Sequence, residues 1–354
     1  MKSLRILLSL GLIAGFGGIS SKALPVRAEG APELVIGLSM ADLKEERWKR
    51  DRDLFVAKAR ELGARVLVQD AGGDAPTQIE QSKNLLLKGA NVLVVIPKNA
   101  DAAAPIVLEA RKKGVPVLSY DRLIAGAAPD LYLSFDNYRV GEIQAAEILK
   151  KAPRGKYLLL GGDPADQNAS MLREGQMKIL KPAVDAKEIE IVANPFCDKW
   201  LRAEATRYTE DALVKHPDLA AIVASNDGTA GGAIAALQAK GRAGKVFVSG
   251  QDADLEACRN VARGLQAVTV YKPIRQIAEA AAASAVKLAR GESGTAVGEA
   301  LAREGNFAGR FLELERGKAK VPTFFLTPIP VTKENIDAAV IADGFHPREA
   351  VYGG

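Results

Sequence analysis

The chain is poor in the residues that most often carry catalysis or bind transition metals. Histidine occurs twice in 354 residues, at His216 and His346, and cysteine twice, at Cys197 and Cys258. Two histidines argue against a histidine-based zinc site or a histidine-driven catalytic triad. No acidic loop of the DxNxDG type is present, so no calcium site is expected, and no other metal or cofactor. The two thiols could pair in an oxidising compartment, but spacing in sequence does not say whether they meet. Aromatic residues make up 5% of the chain, and Trp48 and Trp200 are the only tryptophans. Charge of one sign is also scarce. The formal +5 includes Lys2, Arg5, Lys22 and Arg27 with no acid among the first 28 residues, and the remainder carries +1. A nearly neutral chain gives no reason to expect nucleic acid or anionic lipid as a partner.

Long apolar runs are confined to the beginning. Lys2 and Arg5 precede an apolar stretch from Ile6 to about Gly18, and Val26-Arg27-Ala28 places small residues at the −3 and −1 positions of a cleavage site. This pattern predicts a signal peptide over 1–28, cleaved near Ala28, and a mature protein exported to the periplasm. The run falls short of the ~20 apolar residues of a spanning helix.

From residue 34 onward, short apolar runs alternate with amphipathic segments. Strands are predicted at 34–40, 65–71, 91–97 and 116–120, with helices at 47–63, 77–89 and 101–114 between them. After 131–137 the rhythm starts afresh, with helices near 138–151, 168–183, 201–215 and 229–240. The strands of this second half fall at 156–162, 189–195, 219–227, 245–254 and 265–273. Continuously apolar strands alternating with helices imply parallel sheets covered on both faces. The expected fold is α/β, with two doubly wound parallel-sheet domains. Crossovers near 136, 271 and 326 would make each domain discontinuous: 34–136 with about 272–326, and 137–271 with about 327–350.

In open parallel sheets ligands bind beyond the carboxyl ends of the strands. The residues that follow the predicted strands are Glu46, Arg47 and Trp48; Asp121 and Arg122; Asp163, Asp166 and Asn168; Asp198 and Trp200; Asn226 and Asp227; Gln251, Asp252 and Asp254; Tyr271 and Lys272. Carboxylates, amides and guanidinium groups each present paired, coplanar hydrogen-bonding atoms. Such groups suit the adjacent hydroxyls of a sugar, and the two indoles suit its apolar C–H faces. Each residue also has a plainer reading. Trp48 lies on the helix stripe of Phe55, Ala59 and Leu62 and could be core. Asp121 and Arg122 could be a surface ion pair, and Asn226-Asp227-Gly228-Thr229 a turn and helix cap, the better reading for Asp227 and Thr229. "GTAGGA" at 228–233 has neither the dinucleotide fingerprint nor a Walker lysine.

The same residues carry a resemblance. "ERWKRDRDLFVAKARELGARVLVQDA", "VLSYDRLI", "GGDPADQNA", "ASNDGTAGGAIAAL", "SGQDADL" and "TVYKPI" together resemble the D-xylose-binding branch of the periplasmic sugar-binding proteins of bacterial ABC importers. The resemblance extends over nearly the whole chain after residue 28. It implies the periplasmic-binding-protein type I fold, a multi-segment hinge and a sugar sandwiched between two lobes. It assigns ligand contacts to Arg47, Asp121, Arg122, Asp166, Asn168, Asn226, Asp252 and Lys272, and aromatic walls to Trp48 and Trp200. Cys197 and Gln167 depart from the family pattern without removing a matched contact.

The resemblance implies a non-enzymatic, monomeric receptor that captures a monosaccharide, D-xylose foremost, and hands it to an ABC transporter permease. Glucose, galactose or arabinose is the alternative ligand, and a chemoreceptor or sensor kinase a possible further partner. An enzyme, a glycosidase or sugar isomerase, could use Asp252 and Asp254 as paired acids. Their interleaving with Arg47, Arg122 and Lys272 suits holding hydroxyls better than protonating a leaving group. A transcriptional repressor would need an N-terminal helix-turn-helix where this chain carries its export signal.

Overall fold

A computed structural model describes residues 33–44, 46–316 and 319–353, without the side chains of Glu46 and Arg316. The expected signal peptide lies outside these residues. The first part of the chain runs β1 (Leu34–Met40), α1 (Glu46–Glu61), β2 (Ala64–Asp70), α2 (Ala75–Leu87), β3 (Val92–Val95), α3 (Ala104–Lys112), β4 (Val117–Tyr120) and β5 (Leu131–Phe135). Next come α4 (Asn137–Lys151), β6 (Gly155–Leu160), α5 (Gln167–Asp185), β7 (Ile189–Ala193), α6 (Arg202–Lys215), β8 (Leu219–Ala224) and α7 (Asp227–Ala239). They are followed by β9 (Phe247–Gln251), α8 (Leu255–Ala262) and β10 (Val268–Tyr271). The chain ends with α9 (Ile274–Ala289), α10 (Gly294–Glu304), β11 (Gly309–Arg316), β12 (Ala319–Leu326), β13 (Ile329–Val331) and α11 (Arg348–Tyr352).

Two separate sheets form. The first has the order β11-β12-β5-β4-β3-β1-β2 and the second β13-β10-β9-β8-β6-β7. Pairing is parallel except at one edge of each, where β11 runs antiparallel to β12 and β13 antiparallel to β10. Counted from its own first strand, each sheet contains the doubly wound order 2-1-3-4-5. That order places a switch point beside β1 in one sheet and beside β6 in the other, and the strand ends there form crevices.

Burial explains why the strands read so plainly. Every residue of β3, β4 and β5 is buried, as a parallel strand covered on both faces must be. Ile36, Leu38, Val92, Val94, Leu133 and Phe324 form the middle of one core, against α9 through Ile277 and Ala281. Leu158, Leu160, Ile222 and Val248 form a core of the second sheet. The elements beyond residue 273 were not anticipated by the sequence periodicity. Helix α9 buries ten residues, half of them alanine, so its apolar stripe blurs into small residues.

Helices α4 and α5 cross at glycine. A Cβ on Gly141 would lie 2.0 Å from the Leu172 carbonyl oxygen, and one on Gly175 2.0 Å from that of Tyr138. Neither backbone oxygen can yield without moving a helix. Gly141→Ala is therefore expected to destabilise by ~1–3 kcal/mol or more, the cost of overpacking a close-packed site. Urea unfolding would show this as a lower midpoint at unchanged slope.

Candidate ligand-binding site

Seven inter-element segments from the two sheets converge on one cavity, about 300 Å³ when the open solvent at its mouth is counted. The segment after β1 and the first turn of α1 deliver Arg47 and Trp48. The segment after β4 delivers Asp121 and Arg122; that after β6 delivers Asp166 and Asn168. Trp200 comes from the loop after β7, Asn226 from the end of β8, Gln251 and Asp252 from the end of β9, and Lys272 from the end of β10. The structure thus brings together all ten residues singled out in the sequence, with Gln251 in addition. Of the other residues at strand ends, Asp198 is exposed, Asp163 pairs with Lys98 at 3.2 Å, and Tyr271 donates to Asp343 at 2.5 Å away from the cavity.

The polar side chains bridge the two sheets. Arg47 reaches Asp121 through Nη2 at 2.9 Å and Asp252 of the second sheet through Nη1 at 3.3 Å. Arg122 Nε meets Asp166 Oδ2 at 2.8 Å. Asn168 Nδ2 donates to the Asp121 carboxylate and to its carbonyl oxygen, both at 3.2 Å. At the rim, Ala100 N–H donates to the Ala165 carbonyl at 3.0 Å beside the Lys98–Asp163 pair. Lys272 is 3% exposed at the cavity wall, where its charge acts on Asp121. Among the described residues, Gln251 Oε1 at the same wall is buried without a hydrogen-bond partner. Buried polar atoms are normally satisfied, so the Gln251 oxygen is available to a bound molecule.

The indoles occupy different settings. Trp48 is buried in the first core beside Met40 and Phe55, and also borders the cavity. The guanidinium carbons of Arg47 and Arg122 lie 4.3 and 5.1 Å from its ring centroid. Trp48 therefore belongs to the core and borders the cavity at once. Trp200 is half-buried, and its Nε1 donates to Asp166 at 3.3 Å. Asn226 does two things at once. Its Oδ1 accepts from Thr229 N–H at 2.9 Å in a capping box for α7, while the residue lines the cavity. Asp227 is not the cap. It is buried in the first turn and accepts from Gln266, Thr269 Oγ1 and the Asp254 N–H at 2.8–3.0 Å, holding the loop that carries Asp252.

Backbone strain gathers here. Asp121, Lys199, Trp200, Asp252 and Ala253 have φ of 59, 52, 59, 100 and 54°, a region non-glycine residues avoid. At Asp121 it is held by donation from Tyr132 Oη at 3.1 Å and Ser134 Oγ at 2.6 Å to its carbonyl. At Ala253 it is held by Thr269 Oγ1 and by His346, 2.8 Å from the Ala253 carbonyl. Such strain persists where surrounding contacts over-determine it, and it aims side chains that a relaxed turn would turn away.

Three carboxylates, Asp121, Asp166 and Asp252, face three cations, Arg47, Arg122 and Lys272. Burial pushes Asp121 up, but Arg47, Lys272 and Arg122 outweigh it and hold the carboxyl below its ordinary value. Burial wins at Asp166, which stays above its ordinary value despite Arg122. Arg47 is held well above the usual arginine range, with Asp121, Asp51 and Asp252 overcoming its burial. Sequence reasoning passed over two residues. Asp51 sits one helical turn after Arg47, a spacing that puts both on one face. Gln251 was noted at its strand end but not assigned to the site. Cys197 and Cys258 are both buried and free.

Residues 36–293 match the family model described as a periplasmic binding protein domain. The chain is 47% identical over 321 residues to the D-xylose-binding periplasmic protein of Haemophilus influenzae, covering 90% of this chain and 92% of that one. To the D-xylose-binding periplasmic protein of Escherichia coli it is 46% identical, covering 90% and 93%. Among solved structures it is similar to an ABC transporter solute-binding protein from Clostridium phytofermentans with bound β-D-glucose. That match has a TM-score of 0.76 and 25% identity, over 90% of this chain and 99% of the other.

Proposed function

The chain belongs to the periplasmic-binding-protein family, and from that premise we propose that it is a receptor for a neutral aldopyranose, D-xylose, held by the ten residues gathered in the cavity. The observation that carries this reading is convergence: hydrogen-bonding side chains and two indoles from seven segments, far apart in sequence, meet around one cavity. Equal numbers of acids and cations favour an uncharged ligand over a sugar acid or an amino sugar. A micromolar dissociation constant corresponds to about −8 kcal/mol. Charge-assisted hydrogen bonds supply ~1.5–3 kcal/mol each, so a handful suffice after the entropic losses of binding.

In this reading residues 34–136 with 272–326 form one lobe, and 137–271 with 327–350 the other. Hinge closure brings Arg47 to Asp252 and Arg122 to Asp166 around the sugar. The signal peptide exports the chain to the periplasm, and the closed monomer presents the sugar to an ABC permease without chemical turnover. A chemoreceptor or sensor kinase could read the same closed surface. Among the described residues no helix is long and apolar enough to cross a membrane. The β-D-glucose bound by the Clostridium phytofermentans neighbour favours a second reading, a hexose receptor.

Calorimetry against D-xylose, D-glucose, D-galactose, L-arabinose and D-ribose tests both readings. The tightest binding is expected for D-xylose; a stronger response to a hexose transfers the assignment to that sugar, and no binding to any of them ends it. D-Xylose is also expected to change the intrinsic fluorescence, because the only two tryptophans both border the cavity. An unaltered spectrum alongside calorimetric binding removes the stacking role from Trp48 and Trp200.

A further inference from the structure

Behind the cavity lies a buried acid that touches no cavity space. Asp51 has no exposed surface and accepts from two groups at once, Arg47 Nε on Oδ2 at 3.3 Å and the Tyr120 hydroxyl on Oδ1. Arg47 has one Nε and two Nη groups. With Nε turned back to Asp51, the planar fork has only one orientation left. In that orientation Nη2 meets Asp121 and Nη1 meets Asp252 across the cleft. Tyr120 is the last residue of β4 and directly precedes Asp121, so the same strand end that supplies a site carboxylate also anchors the arginine facing it.

We propose that Asp51 is the positioning residue of the sugar site: its carboxylate, itself held by Tyr120, orients Arg47 so that both Nη groups face the cavity. This inference rests on the sugar-receptor reading above. It adds a residue outside the cavity and a dependence on proton activity. Burial raises Asp51 to about 6, against the opposing pull of Arg47 and the Tyr120 hydrogen bond. The groups acting on it are Arg47 on its own helix, and Tyr120 and Asp121 at the end of β4. On α9, which packs against α1, Arg275 and Glu279 pair with each other at 3.5 Å. Tyr120 is pushed well above its ordinary value by burial and by Asp51, so it stays a donor throughout the working range. The sign follows. Above about pH 6 Asp51 is charged and Arg47 is held; as pH falls through that value the carboxyl takes a proton and one anchor of the fork is lost. Sugar binding favours the charged form, so by reciprocity bound sugar lowers the proton affinity of Asp51.

D-Xylose affinity measured by calorimetry between pH 5 and 8 on the full chain, for wild type, Asp51→Asn and Tyr120→Phe, tests this. Asparagine can keep the Arg47 contact through its oxygen; its amide then donates to the Tyr120 hydroxyl, so the charge is removed and that second hydrogen bond is reversed. Asp51→Asn is expected to bind about tenfold more weakly at pH 7.5 and to lose the fall in affinity near pH 6. Tyr120→Phe removes the donor that keeps Asp51 acidic, so the fall is expected at higher pH than in wild type. Burial also raises Asp166, and Asp227 behind the Asp252 loop, so an acid loss that survives in Asp51→Asn belongs to those two and not to Asp51. Wild-type affinity and profile in Asp51→Asn, or an unmoved profile in Tyr120→Phe, overturns the proposal while the receptor reading stands. Failure of wild type to bind any of the five sugars overturns both, and is distinguished by the wild-type titration alone.

Discussion

Replacing Arg122 by alanine is expected to weaken D-xylose binding by about two orders of magnitude or more. Arg122 is buried on the first-sheet side, and its Nε meets Asp166 of the second sheet at 2.8 Å. Burial already raises Asp166, and Arg122 is the first group opposing that rise. Truncation therefore removes a bond across the cleft and leaves a carboxyl buried without its counter-charge. Breaking one side of a buried pair costs ~3–5 kcal/mol, and each 1.4 kcal/mol is a factor of about ten. Part of that cost is recovered if Asp166 takes a proton, which sets the lower figure. The guanidinium also lies over the Trp48 ring, 5.1 Å from its centroid, so alanine uncovers part of the indole face as well. Arg122→Lys keeps the charge but not the planar fork, and is expected to fall between the two. Calorimetry with a circular-dichroism check on folding reads the effect; wild-type affinity in a folded Arg122→Ala protein would make Asp121-Arg122 an ion-pairing turn and nothing more.

Some of this was legible in the sequence because it depends on local rules. A strand covered on both faces must be apolar throughout, so β1, β3 and β4 stood out, and the polar residue after each could be read as belonging to one edge. Arg47, Asp121, Arg122 and Asp252 were found that way. What escaped depends on contacts between segments. Nothing in the sequence marks Asp51 as a partner of Tyr120, 69 residues away, although its place four residues after Arg47 was available. Asp227 looked like a cap because Asx residues favour helix starts. Its actual partners, Gln266 and Thr269, lie about 40 residues on and become neighbours only through pairing of β9 with β10. The alanine-rich α9 and the β11–β12 hairpin were missed for a different reason. One has too little contrast between its faces, and the other follows the sheet's helix–strand rhythm at no point.

Gly162→Ala is the second substitution expected to cost much, and it acts through Trp200. A Cβ on Gly162 would stand 2.1–2.2 Å from three carbons of the Trp200 six-membered ring, less than real Cβ atoms show. The indole rests flat on bare backbone, and it has little freedom to retreat. Lys199 and Trp200 already have φ of 52 and 59°, and the ring packs against Val140, Ile143, Leu172 and Val270. The side chain must lift by more than an ångström, into the cavity it borders, and its 3.3 Å bond to Asp166 is lost. Overpacking of this kind costs ~1–3 kcal/mol. Most of it should fall on the closed, liganded form, where the ring has least room, giving about tenfold to a hundredfold weaker D-xylose binding. Gly228→Ala makes the same change where the nearest heavy atom would be 3.5 Å away and the backbone is helical. There alanine is the better helix former, by up to ~1 kcal/mol, and stability is expected to be unchanged or slightly higher. Near-UV circular dichroism should report the displaced indole in Gly162→Ala and an unaltered band in Gly228→Ala. Equal D-xylose affinity in both variants would mean that Trp200 is no wall of the site.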